Sequence, residues 1–148
     1  MTQPARLRLL FVDDSPGDRE FLAIAFRRLY PMVDVKLAEG GASALALLRG
    51  YGPSLAREGP NLVLMDLKMP GKDGIAVLRD IRGDPALHSL PVVMLTSSRL
   101  EEDIARAYDA GANAYVPKPA DAVEYGGLAT EIHRFWGDVS LIPGAGGA

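Results

Sequence analysis

Apolar and polar positions fall into alternating blocks along the chain, and five of these blocks have the length and composition of buried strands. Each is a short apolar run that ends in polar or turn-forming residues, as expected of strands covered on both faces. The second run is half polar, which predicts a position near the sheet edge. The predicted strands span residues 7–12, 33–37, 61–65, 91–95 and 114–116.

A helical period follows each predicted strand, with apolar residues recurring three and four positions apart on one stripe. The first stripe closes before Pro31, and residues 50–59 are predicted to form a loop. Ser98-x-x-Glu101 predicts a capping box, and Gly111 a left-handed helix end. The stripes contain Phe21, Leu22, Ala25, Phe26 and Leu29; Leu45 and Leu48; Ile75, Leu78 and Ile81; Leu100, Ile104, Ala107 and Tyr108; and Leu128, Ile132 and Phe135.

Five strand–helix units predict a doubly wound α/β fold, because right-handed helical crossovers connect parallel strands and cover both faces of the sheet. A length of 148 residues fits one domain. We assign residues 6–136 to it and residues 137–148 to a C-terminal extension. The end of that extension, residues 144–148, is rich in Gly and Ala and is expected to be disordered.

Charge and composition exclude several classes of function. Sixteen Lys and Arg against nineteen Asp and Glu give a formal net charge of −3, so the chain lacks a positive field for nucleic acid or anionic lipid. There is no cysteine, and no apolar run approaches the roughly 18 residues of a membrane span. We expect a cytoplasmic protein that binds neither nucleic acid nor membrane.

Polar side chains gather where the predicted strands end. Asp13 and Asp14 follow the first strand, Asp66 the third, Thr96 the fourth and Lys118 the fifth. The carboxyl ends of parallel strands lie at one edge of a sheet, where ligands of open α/β folds bind. Acids occupy the place where a phosphate-binding loop would carry glycines. We therefore expect a cation at this edge.

The residue types at these strand ends favour Mg²⁺-dependent phosphoryl transfer. Three converging carboxylates repel one another unless a cation neutralises them, and oxygen ligands suit Mg²⁺, with Mn²⁺ as a substitute. Lys118 adds a positive charge for a phosphate, and Thr96 adds a hydroxyl. A carboxylate in this setting can act as the nucleophile. Taken alone, the pair Asp13 and Asp14 is equally consistent with a helix N-cap.

Four sequence fragments occur in order at the predicted strand ends, and together they closely resemble receiver domains of two-component response regulators over about residues 6–136. The fragments are Phe-Val-Asp-Asp-Ser at 11–15, Leu-Met-Asp-Leu-Lys-Met-Pro-Gly-Lys-Asp-Gly at 64–74, Val-Met-Leu-Thr-Ser at 93–97 and Gly-Ala-Asn-Ala-Tyr-Val-Pro-Lys-Pro at 111–119. The resemblance implies a flavodoxin-like (βα)5 fold with strand order 2-1-3-4-5.

The same resemblance implies roles for individual acidic residues. Asp66 would accept a phosphoryl group from a histidine kinase or a phosphotransfer protein. Asp14 and Asp66 would bind Mg²⁺ directly, Asp13 would contact it through water, and the main-chain carbonyl of Lys68 would complete the protein ligands. A protein of this kind is a phosphoacceptor that catalyses only its own phosphorylation and dephosphorylation.

Three further residues have roles that the resemblance implies. Lys118 would pair with the phosphoryl oxygens, and its peptide bond to Pro119 would be cis. Thr96 and Tyr115 would form the switch pair, in which the hydroxyl moves toward the phosphate and the ring rotates into the space that opens. The face built from the fourth helix, fifth strand and fifth helix would then change shape.

A narrower resemblance points to partners. The loop at 50–59, the segment 80–85 and the ending 134–143 resemble single-domain regulators encoded with cyanobacterial and bacterial phytochrome kinases. Only 13 residues follow Phe135, too few for a DNA-binding output domain. We expect a histidine kinase upstream, such as a bacteriophytochrome, and a protein target downstream. We also expect a homodimer that buries Phe135 and Trp136, although Trp136 could instead fold back on its own domain.

Two other functions deserve comparison. A haloacid-dehalogenase-type phosphohydrolase also uses an aspartyl nucleophile and Mg²⁺, but it needs an Asp-x-Asp pair after its first strand and a substrate cap. Here Asp13 and Asp14 are adjacent, and the loop at 50–59 is too short for a cap. A receiver-like scaffold that is never phosphorylated is the third possibility, and the complete set of acids, hydroxyl and lysine argues against it.

Overall fold

A five-stranded parallel sheet forms the centre of the computed structural model, which describes residues 6–143. The strand order is β2-β1-β3-β4-β5, with β1 pairing with both β2 and β3. This confirms the doubly wound order and places β3 at the middle of the sheet. The strands are β1 (Arg8–Val12), β2 (Asp34–Ala38), β3 (Leu62–Met65), β4 (Val92–Thr96) and β5 (Ala114–Pro117).

Five main helices cover the two faces of the sheet. Successive strand residues point to opposite faces, so that Leu64 packs with α1 and α5 while Val63 packs with α2, α3 and α4. Within residues 6–143, no helix is long and apolar enough to cross a membrane. The helices are α1 (Pro16–Leu29), α2 (Gly41–Gly50), α3 (Gly74–Gly83), α4 (Glu101–Asp109) and α5 (Ala122–Ile132).

Side-chain caps fix where several helices begin. Ser15 caps α1, with its hydroxyl accepting from the Asp18 amide at 3.3 Å, so the helix begins well before its apolar stripe. Asp73 caps α3 and Asp121 caps α5 in the same manner. Gly111 follows α4 at φ +107°, which confirms the predicted left-handed helix end.

Three local predictions were wrong. Residues 50–59 are not a plain loop, because a 3₁₀ turn (Gly52–Ser54) and a short helix (Leu55–Glu58) bury Leu55. Ser98 does not cap α4, whose N-cap is Leu100, since the Ser98 hydroxyl instead bonds a carboxylate inside the helix. Four residues of the predicted apolar stripes are 40–54 % exposed rather than buried against the sheet: Phe21, Leu29, Leu100 and Tyr108.

The chain after α5 continues as a π-helical segment, His133–Val139. Trp136 packs half-buried against the core on the α1 and α5 side, as the fold-back alternative predicted, whereas Phe135 stays 52 % exposed. Ile142 is buried, so part of the C-terminal extension packs on the domain. The disorder expected at residues 144–148 falls outside the residues that the structure describes.

Candidate functional site

Three carboxylates meet where β1 and β3 end. The two strands are in register at Val12 and Met65, so the residues that follow them lie side by side, and the Asp66 amide donates to the Val12 carbonyl at 2.9 Å. One carboxylate oxygen from each of Asp13, Asp14 and Asp66 lies within 4.8 Å of the others. Asp13 and Asp66 are buried, and Asp14 is exposed.

Lys118 places its ammonium group among carboxylates from three elements. It follows β5, and its amide donates to the Thr96 carbonyl at 2.9 Å. The Nζ atom lies 2.8 Å from Asp13 Oδ2, 3.0 Å from Asp18 Oδ2 and 3.2 Å from Asp66 Oδ2. The structure thus brings Lys118 to the predicted acidic edge of the sheet.

Electrostatics hold Lys118 in its charged form. Burial alone would lower the pKa of its ammonium group, but the close carboxylates of Asp13 and Asp18 and the charge of Asp66 outweigh burial and raise that pKa well above its usual range. Burial is the main reason that the pKa of Asp13 is raised, despite the opposing effect of Lys118. The acidic edge therefore stores unfavourable charge at Asp13.

One oxygen at this edge lacks a hydrogen bond. Asp13 Oδ1 accepts from the Ser15 amide at 2.9 Å, but Asp13 Oδ2 has only the ion-pair contact with Lys118, which lacks hydrogen-bond geometry. A buried carboxylate oxygen without a hydrogen bond is costly. The carboxylates of Asp13, Asp14 and Asp66 together fit the ligand set of a divalent cation.

Asp18 and Tyr125 belong to this site, and the sequence analysis missed both. The Tyr125 hydroxyl donates to Asp18 Oδ1 at 2.9 Å while Lys118 donates to Oδ2. Burial would raise the pKa of Asp18, but these hydrogen bonds outweigh it and lower that pKa. Burial and the Asp18 carboxylate raise the pKa of Tyr125. Acidic residues are common in the first turn of a helix, so the sequence around Asp18 does not indicate that it bonds Tyr125 and Lys118.

Thr96 and Tyr115 lie on adjacent strands and are linked through Ser98. Thr96 is buried, and its hydroxyl oxygen accepts from the Ser98 amide at 3.4 Å. The half-buried Tyr115 donates its hydroxyl to the Ser98 carbonyl at 2.9 Å. Burial is the largest of the effects that raise the pKa of Tyr115. The two residues predicted as a switch pair thus contact the same loop residue.

The loop between β3 and α3 carries Lys68, two residues after Asp66. The side chain of Lys68 is exposed, and its Nζ lies 3.9 Å from Asp103 Oδ2. At Gly74, the first residue of α3, any Cβ would collide with the carbonyl oxygen of Asp66, so only glycine lets the helix start this close to the site. The expected cis bond before Pro119 was wrong, since residues 6–143 contain no cis peptide.

Comparison with known proteins defines the class. A family model described as the response regulator receiver domain matches residues 9–125. The chain belongs to this family, whose members act in two-component signalling and are phosphorylated by histidine kinases. The sheet order and the acidic edge are consistent with that membership.

Individual relatives narrow the class further. The chain is 31% identical over 137 residues to response regulator Rcp1 of Synechocystis sp., covering 93% of each chain. The crystal structure of the phosphorylated cyanobacterial phytochrome response regulator RcpA is 32% identical, with a TM-score of 0.83 and coverage of 94% of this chain and 99% of that one. The Mn(2+)-bound form of Rcp1 is 30% identical, with a TM-score of 0.79 and coverage of 93% and 99%. The chain is thus related to phytochrome-associated response regulators.

Proposed function

We propose that this protein is a single-domain response regulator that accepts a phosphoryl group from a histidine kinase on Asp66 in a Mg²⁺-dependent reaction. One observation carries the proposal. The Asp66 carboxylate ends the middle strand, lies 3.2 Å from the Lys118 ammonium and has the carboxylates of Asp13 and Asp14 within 4.8 Å. A nucleophile, a fixed positive charge and a set of cation ligands therefore meet at one point.

The reaction follows from this arrangement. A carboxylate oxygen of Asp66 attacks the phosphorus of a phosphohistidine, and the P–N bond breaks as the new P–O bond forms. The imidazole leaves with the electron pair of the broken bond. Lys118, held charged by its carboxylate neighbours, attracts the transferred phosphoryl oxygens. Transfer then gives an aspartyl phosphate on Asp66 and a free histidine on the kinase.

Asp13, Asp14, Asp66 and the main-chain carbonyl of Lys68 are the proposed protein ligands of Mg²⁺. The convergence of the three carboxylates and the excess of carboxylates over ammonium groups support this choice. Bound Mg²⁺ would neutralise the charge that builds up on the phosphoryl oxygens. Mn²⁺ is a reasonable substitute, since a Mn(2+)-bound form of Rcp1 is known.

Thr96 and Tyr115 are the proposed switch residues. The Thr96 hydroxyl would move toward the phosphoryl group on Asp66, and Tyr115 would change position in response. The face formed by α4, β5 and α5 would then bind a downstream protein differently. The buried Thr96 and the half-buried, hydrogen-bonded Tyr115 have the neighbours that such coupling requires.

We propose that the receiver domain comprises residues 6–136 and is followed by the C-terminal extension. The proposed location is the cytoplasm. A bacteriophytochrome-type kinase is the proposed donor, because similar chains include regulators named for phytochrome and for red light signalling. Neither nucleic acid nor membrane is a proposed partner, given the net charge of −3.

A homodimer remains part of the proposal, with a revised contact. Trp136 already packs on its own domain, so Phe135, Val139 and Leu141, which are 52–61 % exposed, are the residues that a partner would cover. Phe135→Ala should weaken the dimer in light scattering across a dilution series, whereas the exposed control Arg134→Ala should not. A monomeric wild type at high concentration would contradict dimer formation.

Intact mass after treatment with acetyl phosphate and Mg²⁺ tests the proposed acceptor. The wild type should gain one phosphoryl group, and Asp66→Asn should gain none. The control Asp109→Asn, which removes an exposed carboxylate from α4, should behave as the wild type. Equal incorporation by Asp66→Asn would contradict the acceptor, and no incorporation by the folded wild type would favour the phosphorylation-independent scaffold.

A further inference from the structure

Asp18 is held at both of its carboxylate oxygens by side chains from distant parts of the sequence. The Tyr125 hydroxyl donates to Asp18 Oδ1 at 2.9 Å, and the Lys118 ammonium donates to Asp18 Oδ2 at 3.0 Å. Asp18 lies in the first turn of α1, and Tyr125 lies on α5. One carboxylate therefore joins two helices to the lysine that follows β5.

Tyr125 is a rigid donor for this carboxylate. The residue is only 1 % exposed and belongs to the apolar core on the α1 and α5 side of the sheet. The centroid of its ring lies 5.8 Å from that of Phe21, a residue of α1. A buried tyrosine hydroxyl needs a hydrogen-bond partner, and Asp18 is that partner. One oxygen of Asp18 is thus fixed to the core of the domain.

The ammonium group of Lys118 needs such a fixed partner. A lysine carries a compact charge on a flexible four-carbon stem, so its own covalent structure does not determine where the charge lies. Three carboxylates surround the Nζ atom, with Asp13 Oδ2 at 2.8 Å, Asp18 Oδ2 at 3.0 Å and Asp66 Oδ2 at 3.2 Å. These contacts decide the position of the charge beside Asp66.

Asp18 differs from the other two carboxylates in its relation to the proposed cation site. Among the residues that the structure describes, the acidic group whose oxygens lie within 4.8 Å of one another consists of Asp13, Asp14 and Asp66, without Asp18. A cation bound to this group would compete with Lys118 for the charge of Asp13 and Asp66. Asp18 is therefore the partner of Lys118 that remains available when a cation is bound.

We propose that Asp18 and Tyr125 are positioning residues for phosphoryl transfer: Tyr125 fixes the Asp18 carboxylate, and this carboxylate fixes the ammonium group of Lys118 beside Asp66. The inference rests on the proposed function and extends it. The negative charge of Asp18 by itself opposes the reaction, because it repels an anionic phosphoryl donor. Its contribution is the position that it gives to the ammonium group, since small displacements of a reacting group slow catalysis strongly.

Hydrogen exchange of the Lys118 ammonium group tests the positioning step without any reaction. Selective ¹⁵N labelling gives signals from only four lysines, which are Lys36, Lys68, Lys72 and Lys118. The side chain of Lys118 is 13 % exposed, against 38–70 % for the other three, so its ammonium should exchange most slowly. Exchange should become about tenfold faster in Asp18→Asn and about threefold faster in Tyr125→Phe.

The rate of phosphorylation by phosphoramidate with Mg²⁺, measured against donor concentration, tests the effect on the reaction. Asp18→Asn should lower the limiting rate about tenfold. The donor concentration at half of that rate should stay the same or fall, because a repelling charge has been removed. Tyr125→Phe changes no charge at neutral pH and should lower the limiting rate about threefold.

Two further variants separate positioning from a general effect of charge on α1. Asp18→Glu keeps a carboxylate at this position and should recover part of the limiting rate that Asp18→Asn loses. Glu20→Gln removes an exposed carboxylate from the same helix and should change neither the exchange of Lys118 nor the rate.

An Asp18→Asn protein whose Lys118 ammonium exchanges as slowly as in the wild type would overturn the proposal. An unchanged or higher limiting rate would also overturn it, because Asp18 would then act only as a repelling charge. If Asp18→Asn fails to fold, Tyr125→Phe decides, and unchanged exchange in that variant would overturn the positioning role.

Failure of the proposed function gives a different result. A folded wild type that gains no phosphoryl group from phosphoramidate would contradict phosphoryl acceptance at Asp66. The exchange of the Lys118 ammonium still shows, in that case, whether Asp18 and Tyr125 fix its position.

Discussion

Lys118 and Arg82 are both half-buried cations at the edges of one sheet, but their surroundings differ in charge. Lys118 lies among the carboxylates of Asp13, Asp18 and Asp66. Arg82 donates to uncharged oxygens, and within residues 6–143 no carboxylate pairs with it. Its acceptors are the carbonyls of His88, Leu90 and Gly111 and the side-chain oxygen of Asn113.

The difference separates a structural contact from the proposed phosphoacceptor site. The guanidinium of Arg82 fixes the end of α3 to the segments that precede β4 and β5, and every acceptor is a neutral oxygen. Around Lys118, three negative charges surround one positive charge. An excess of buried charge costs stability unless a cation completes it, so its presence indicates function.

The largest effect on stability is expected from Arg82→Ala. Several charge-assisted bonds to backbone carbonyls disappear, so the free energy of unfolding should fall by about 3 kcal/mol. Arg82→Lys should recover less than half of this loss, because an ammonium cannot reproduce the guanidinium fork. Urea unfolding measures both variants. Arg79→Ala, at an exposed residue of the same helix, is the control. An equal loss of unfolding free energy in that variant would show that Arg82 has no special structural role, and the comparison with Lys118 would fail.

Lys118→Met should destabilise the protein by about 2 kcal/mol in Mg²⁺-free buffer, because buried carboxylates lose their cation. The deficit should shrink when Mg²⁺ is added, since a divalent cation compensates the same charge. The deficit of Arg82→Ala should not depend on Mg²⁺. If the loss of stability in Lys118→Met does not change with Mg²⁺, Lys118 would have the same purely structural role as Arg82.

Tyr125→Phe should cost about 1 kcal/mol at pH 7, because Asp18 loses one of its hydrogen bonds. The pKa of Asp18 is lowered in the fold, so its contribution is present above the unfolded pKa of about 3.9 and is lost as the pH falls through the folded pKa. The difference in unfolding free energy between the wild type and Tyr125→Phe should therefore narrow below about pH 4.

The free energy of unfolding, measured from pH 7 to pH 3, tests whether the effect of Tyr125→Phe depends on the charge of Asp18. Tyr108→Phe, at a half-exposed tyrosine, is the control. A gap that persists unchanged at pH 3 would show that the Tyr125 hydroxyl contributes to stability independently of the charge of Asp18.

Strand positions and the acidic edge were predictable from the sequence because both depend on local pattern. An apolar run such as residues 61–65 indicates a buried strand, and the residue that follows the strand lies at the carboxyl edge of the sheet. The convergence of Asp13, Asp66 and Lys118 follows from that rule. Tyr115 beside β4 follows from the same strand order.

The contacts that the sequence did not reveal depend on packing between distant segments. Asp18 and Lys118 are 100 residues apart, and nothing near Asp18 distinguishes it from an ordinary helix-start acid. Ser98 matched a capping pattern, but the burial of Asp103 drew its hydroxyl into the helix instead. Local preference yields to tertiary contacts at such positions.

The thermal unfolding midpoint measured against Mg²⁺ concentration tests the central claim that the acidic edge is an unbalanced charge site completed by a cation. The midpoint of the wild type should rise with Mg²⁺, as expected when a ligand binds the folded state. Asp14→Asn removes one crowded carboxylate, so without Mg²⁺ it should be as stable as the wild type or more stable by about 0.5–1 kcal/mol.

Asp14→Asn should then show little further response to Mg²⁺, at an ionic strength matched with NaCl. A wild-type midpoint that does not respond to Mg²⁺, or an Asp14→Asn midpoint that rises equally, would contradict the account.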